Sequence, residues 1–149
     1  IPFLQLAQDR SYHLYVVSNQ SGVARNMFQE ESVRQINQAI DGILKGHKIN
    51  IKEWQYCCYH PEGTGKYSSE SYYRKPWPGM VIKLAEKYGI DLSRSLMLGD
   101  KDSDVLRVFG IQNLIVQGKY PIQPKLLTPY HHNCFDSFSA LNLWAQKFL

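Results

Sequence analysis

The sequence predicts an α/β fold: a doubly wound, mostly parallel, Rossmann-like sheet with helices on both faces. Two patterns carry this expectation. Short apolar, β-branched runs alternate with segments whose apolar residues recur at helical spacing, the order that builds parallel strands joined by crossover helices. One such run, Leu96-Met-Leu98, ends on Gly99 and is followed by Asp100 and then Asp104. That places acidic side chains at a strand's carboxyl end, where open α/β sheets keep their ligands. Composition agrees: 149 residues suit a single domain with its own core, and 44% hydrophobic with 20% charged residues argues against disorder.

Along the chain, Phe3, Leu6 and Ala7 give the first ten residues the look of the tail of an amphipathic helix. His13 to Val17 is a β-branched and aromatic run, a buried strand closing on Ser18-Asn-Gln-Ser-Gly22. Such a loop can wrap N–H and hydroxyl donors around an anion, or simply join a strand to a helix. Arg25 follows on the same loop. From Glu30, the residues Val33, Ile36, Ile40 and Ile43 or Leu44 share a helical face that Gly46 ends. Trp54 to Tyr59 is the next strand, and a polar loop lies between His60-Pro61 and Tyr73.

Arg74 and Lys75 then lie just ahead of a helix opened by Pro78, faced by Val81, Leu84, Ala85 and Tyr88, and capped by Gly89. A basic pair there suits phosphate, or is merely solvated. After Leu96 to Leu98, a short helix is expected to turn Val105, Val108 and Phe109 inward before Gly110. Asn113 to Val116 is a strand, Gly118 to Pro129 a proline-bearing loop, and Asn133 to Phe135 a short last strand. Phe138, Leu141, Trp144, Ala145 and Phe148 define a closing amphipathic helix.

Asp100 and Asp104 carry the chemical signal. Two close carboxylates repel unless a cation relieves them, and hard oxygen ligands suit Mg²⁺. The alternative is an acidic helix start in solvent. A net charge of +4, not gathered into runs, points to a small anionic ligand and away from a nucleic-acid groove. No apolar stretch reaches membrane-spanning length. Cys57, Cys58 and Cys134 form no disulfide framework, so a reducing cytoplasm is the expected setting. A monomer is the expected state.

Four motifs stand in a fixed order: Ser18-Asn-Gln-Ser-Gly-Val-Ala-Arg25, Tyr59-His-Pro-Glu-Gly63, Arg74-Lys-Pro-Trp-Pro-Gly-Met80 and Gly99-Asp-Lys-Asp-Ser-Asp104. Together they resemble the family of D-glycero-D-manno-heptose 1,7-bisphosphate 7-phosphatases and histidinol-phosphatases within the haloacid-dehalogenase superfamily. The resemblance runs from near Ile1 to about Gly118. It implies an Mg²⁺-dependent phosphatase that works through an aspartyl-phosphate on a small phosphorylated sugar, in the synthesis of activated heptose for lipopolysaccharide. A histidinol-phosphate or other small phosphomonoester is the rival substrate.

The resemblance also implies roles. Ser18 would hydrogen-bond the transferring phosphoryl group, with Asn19, Gln20, Ser21 and Arg25 holding substrate. Lys75 would neutralise phosphoryl charge, Arg74 and Lys101 would contact substrate, Asp100 would bind Mg²⁺, and Asp104 would brace the site or reach the metal through water.

The sequence departs from the family in two places. The family's Asp-x-Asp, which supplies nucleophile and general acid, does not precede Ser18, where Asp9 is the only acid. The N-terminal strand is therefore expected to be missing, and the chain by itself to be inactive. Taken literally, the same absence fits a non-catalytic module that binds phosphate or a partner. The family's structural zinc site is the second departure: its ligand positions are Cys57, Tyr59, Ser71 and Tyr73, leaving one ligand of four, so zinc is not expected. His131, His132 and Cys134 are expected to pack or face solvent. Without zinc, Tyr67, Tyr72 and Tyr73 are the candidates to hold the loop from Glu62 to Tyr73.

Overall fold

The structure, a computed structural model, describes residues 1–118, 130 and 132–149. Its elements are α1 (Pro2–Asp9), β1 (Leu14–Asn19), α2 (Glu30–Gly46), β2 (Ile51–Cys57), α3 (Gly79–Tyr88), β3 (Leu96–Gly99), β4 (Gln112–Val116), β5 (His132–Phe135) and α4 (Phe138–Phe148). Single 3₁₀ turns lie at Gly65–Tyr67, Leu92–Arg94 and Asp102–Asp104. The chain divides into two compact units, residues 1–71 with 142–149, and residues 72–141.

In the first unit β1 and β2 pair in parallel, with Ser18 opposite Tyr56 and Asn19 opposite Cys57. Helix α1 buries Phe3 and Ala7, as its spacing predicts. Its glutamines tie it to the turn after α2: Gln8 donates to the Lys48 carbonyl at 2.8 Å and accepts from the Asn50 N–H at 2.9 Å.

Helix α2 spans the expected residues but buries only part of the expected face. Val33 and Leu44 are buried, whereas Ile36, Ile40 and Ile43 are 57%, 41% and 62% exposed. The cause is polar. The Trp54 indole N–H donates to Asp41 at 3.2 Å, the Tyr56 hydroxyl donates to Glu30 at 3.0 Å, and Arg34 donates to the Tyr56 oxygen at 3.4 Å. These bonds dock the Glu30–Arg34–Asp41 side of the helix on β2 and leave the isoleucines beside it.

In the second unit β3, β4 and β5 form a parallel sheet in that order, with Gly99 opposite Ile115 and Ile115 opposite Cys134. The central strand β4 keeps Leu114 and Ile115 fully buried. That is the pattern of a parallel strand covered on both faces, and each such side chain contributes about 1.5–3 kcal/mol. Gly89 ends α3 in the left-handed region at φ 64°. The helix expected after Asp104 is absent: Val105 is extended, Val105 and Leu106 are buried, and Phe109 is 76% exposed. Two bonds to other segments hold this backbone instead, from Leu106 N–H to the Asn113 side chain at 3.0 Å and from Arg107 N–H to the Pro76 carbonyl at 2.9 Å. The loop expected from Gly118 to Pro129 falls almost wholly outside the described residues.

Candidate phosphate-binding residues

The second unit contains a compact charged knot. Gly99 ends β3, and the chain turns so that Asp104 folds back over the strand's end. One carboxylate oxygen of Asp104 accepts from the N–H groups of Asp100 and Lys101 at 3.0 and 3.1 Å. Its other oxygen meets the Lys75 ammonium at 2.7 Å, with the two side chains only 8% and 10% exposed. A Cβ at residue 99 would overlap the Asp104 side chain. Gly99 is therefore required for close approach; its φ is not in the left-handed region, so backbone conformation is not what demands glycine.

Asp104 thus has both oxygens engaged. Asp100 is exposed on the same turn. A Cβ at residue 118 would stand 2.9 Å from its carboxylate, so Gly118 leaves that carboxylate clear, a role that spacing gave no means to foresee. Among the described residues no three His, Cys, Asp or Glu side chains converge as a metal site. Asp100 still fits Mg²⁺, which keeps several waters and takes as few as one or two carboxylates. Arg74 lies at the start of the turn into α3, its carbonyl accepting from the Trp77 N–H at 3.0 Å. The guanidinium of Arg107 lies 5.1 Å from the Trp77 ring centre.

In the first unit, Ser18 and Asn19 are the last residues of β1. Gln20 binds backward twice: its side chain donates to Ser18 Oγ at 2.7 Å, and its N–H to the Cys57 carbonyl at 2.7 Å. Ser21 lies on the loop that follows, and its carbonyl accepts from the Arg25 N–H at 3.1 Å. Arg25 reaches the loop after β2, where its guanidinium lies 2.7 Å from His60 Nε2, with the Glu62 N–H 3.1 Å from His60 Nδ1. The structure thus gathers Ser18 with Gln20 in one unit, and Lys75, Asp100, Lys101 and Asp104 in the other.

Other chemistry stands at and around the positions that the resemblance assigns to zinc. Cys57 and Cys58 are buried thiols, and burial pushes Cys58 up to about 11. Tyr59 packs edge-on against Tyr67 at 5.2 Å. His132 Nδ1 lies 2.8 Å from the Tyr130 carbonyl and Cys134 is exposed, while His131 lies outside the described residues. Of the three tyrosines expected to hold the loop, Tyr67 bonds Glu30. Tyr72 and Tyr73 are 55% and 47% exposed and lie edge-on to each other. Glu30, which the sequence marked only as a helix start, is the acceptor that spacing could not reveal.

Residues 1–146 match the polynucleotide kinase 3 phosphatase family. A D-glycero-beta-D-manno-heptose-1,7-bisphosphate 7-phosphatase of Rhodopseudomonas palustris is 39% identical over 95 residues, 63% of this chain and 53% of that protein. The enzyme of the same name from Haemophilus influenzae is 32% identical over 125 residues, 82% of this chain and 68% of that protein. The chain spans about half the length of the first curated relatives it matches, 53% and 58%.

Among solved structures, a protein provisionally assigned as a HAD-like phosphatase from Mesorhizobium loti superposes with a TM-score of 0.83 at 28% identity, covering 97% of this chain and 69% of that one. A D,D-heptose 1,7-bisphosphate phosphatase from B. bronchiseptica, complexed with magnesium and phosphate, gives 0.74 at 20% identity over 98% of this chain and 82% of that one, a likeness of fold. The expected α/β class is thus that of HAD-like phosphatases.

Proposed function

Because the chain belongs to the polynucleotide kinase 3 phosphatase family, we propose that it carries the substrate-holding part of an Mg²⁺-dependent phosphomonoesterase. Its leading substrate is the 7-phosphate of D-glycero-D-manno-heptose 1,7-bisphosphate. The observation that carries this reading is the buried Lys75–Asp104 pair at 2.7 Å, with Asp104 also bound by two backbone N–H groups. Such a knot fixes an ammonium in place at a strand's carboxyl end, and a preorganised cation stabilises phosphoryl charge without reorganising as the charge develops.

Lys75 in this reading neutralises the transferring group, and Asp104 acts as the brace that aims Lys75, its oxygens being already committed. Asp100 holds Mg²⁺, which when bound withdraws charge from phosphoryl oxygens. Ser18 Oγ, fixed by Gln20, donates to the phosphoryl group. Asn19, Ser21, Arg25, Arg74 and Lys101 hold the rest of the substrate. The attacking carboxylate is assigned to no residue of this chain, since Asp9 is the only acid ahead of Ser18 and it ends α1. No described helix is long and apolar enough to cross a membrane. The substrate's polarity is that of a soluble sugar phosphate, and a monomeric enzyme of the cytoplasm is the setting proposed.

The test is kinetic, on protein expressed from its natural start codon. It should hydrolyse the heptose bisphosphate far faster than histidinol phosphate, and Lys75→Ala and Asp100→Asn should each lower kcat about a hundredfold or more with the circular dichroism spectrum intact. Equal rates on the two esters would shift the assignment to a general phosphomonoesterase. Phosphate binding with no turnover would make this a non-catalytic binding module.

A further inference from the structure

The loop that follows β2 is held by chemistry different from a metal staple. Its anchor is Glu30, the first residue of α2, whose carboxylate accepts from the hydroxyls of Tyr67 and Tyr56 and pairs with Arg34 at 3.2 Å. Tyr67 belongs to the 3₁₀ turn at the loop's centre. Its ring takes the edge of Tyr59 on one side, and the Lys66 ammonium lies 4.7 Å from its centre. Its carbonyl accepts from the His60 N–H at 3.1 Å, and the His60 ring meets Arg25 at 2.7 Å.

A second seam runs alongside. Thr64 N–H donates to the Ala24 carbonyl at 2.7 Å, and the Asn26 side chain donates to Thr64 Oγ1 at 2.7 Å. The loops after β1 and β2 are therefore stitched to each other, with a charged hydrogen-bonded hub at one end and Arg25 at the other.

The donor set rules against a zinc in this place. Tyr59 and Ser71 stand at two ligand positions, and neither side chain is a usual zinc ligand. Tyr59 instead supplies an aromatic edge to Tyr67, the residue that Glu30 binds. We infer that Glu30 and Tyr67 form a metal-free clasp that holds the loop after β2 against the loop after β1 and, through His60, acts as the positioning element for Arg25 on the non-reacting part of the substrate. The substrate half of this inference rests on the phosphatase reading; the clasp does not.

The experiment pairs limited trypsinolysis with equilibrium binding in the full chain. Lys66 is exposed and adjoins Tyr67, so cleavage after it reports opening of the clasp, while cleavage after Lys87 at the end of α3 reports general unfolding. Tyr67→Phe, which removes one hydroxyl and no ring, should speed cleavage at Lys66 about tenfold, the factor carried by one hydrogen bond to a charged acceptor, and leave Lys87 unchanged. Glu30→Gln should do the same, Glu30→Asp should restore part of the protection, and a chelator should have no effect on the wild type.

In binding, Tyr67→Phe should weaken the sugar bisphosphate about tenfold and inorganic phosphate less than twofold, because Arg25 serves the part of the substrate that inorganic phosphate lacks. Chelator-induced cleavage of the wild type at Lys66, or an unchanged rate in Tyr67→Phe, overturns the clasp. Equal weakening of both ligands overturns the positioning role. A wild type that binds neither ligand overturns that role together with the phosphatase reading, while the Lys66 pattern still decides the clasp.

Discussion

Asp104 and Glu30 solve one problem at two depths. Each is a carboxylate that gathers several donors from separate segments: Asp104 takes Lys75 and two backbone N–H groups, and Glu30 takes two phenols and Arg34. Asp104 is 8% exposed and Glu30 29%. The difference decides what each can do. Away from water, an ion pair lost on one side leaves an uncompensated charge, so the deep knot is rigid and costly to alter. Near the surface, water stands in for a lost partner, so the shallow hub can hold a loop and let it be remodelled. The first setting suits the preorganised cation proposed for Lys75, and the second suits a loop held by a clasp.

The sharpest way to break this comparison is to remove the deep carboxylate. Asp104→Ala removes the carboxylate that pairs with Lys75 and accepts from two N–H groups, and should destabilise the protein by about 3–5 kcal/mol in urea unfolding. A loss below about 1 kcal/mol would mean that Lys75 finds water, and the two carboxylates would then be alike. Gly99→Ala tests the same knot from the strand side. The new Cβ overlaps the Asp104 side chain, and overpacking of this kind should cost about 1–3 kcal/mol, read as a lower urea midpoint with the slope unchanged.

The two carboxylates also mark how far a sequence can be read. Asp104 was legible because its neighbours are local: a strand, a glycine and a carboxylate four residues on define the turn almost by themselves. Strands and helices were legible for the same reason, each carrying its own period. Helix α2 shows where periodicity stops. Its isoleucines share a face, yet the bonds from Trp54 and Tyr56 to Asp41 and Glu30 set which side meets β2, and those partners lie 13 and 26 residues away. The same holds for Phe109, placed inward by spacing and left exposed because Leu106 and Arg107 are tied to Asn113 and Pro76. Among the residues of the proposed site and its supports, motif order pointed to Ser18, Lys75 and Asp100, but not to Gly118 beside Asp100 or to Glu30, which binds Tyr67 of the loop.

The mildest perturbation sharpens the comparison from the shallow side, through pH. The Tyr67 hydroxyl, more than Tyr56, Arg34 or Lys66, holds the Glu30 carboxyl below its ordinary value of 4.5, against the opposing effect of burial. The same bond, aided by burial, pushes the Tyr67 phenol from 10.0 up to about 12. A depressed acid adds stability in full above its unfolded value and loses it as the pH falls through the lower folded one. A phenol raised in the fold adds stability below its unfolded value and loses it as the pH climbs toward about 12. The stability difference between wild type and Tyr67→Phe should therefore be flat across neutral pH at about 1 kcal/mol, and should shrink both in acid and in strong alkali. Urea midpoints taken across that range give the curve. A difference near zero at every pH would show that Tyr67 stabilises through its ring against Tyr59, which phenylalanine keeps, and not through Glu30, and the hub would then be an aromatic contact with a carboxylate beside it.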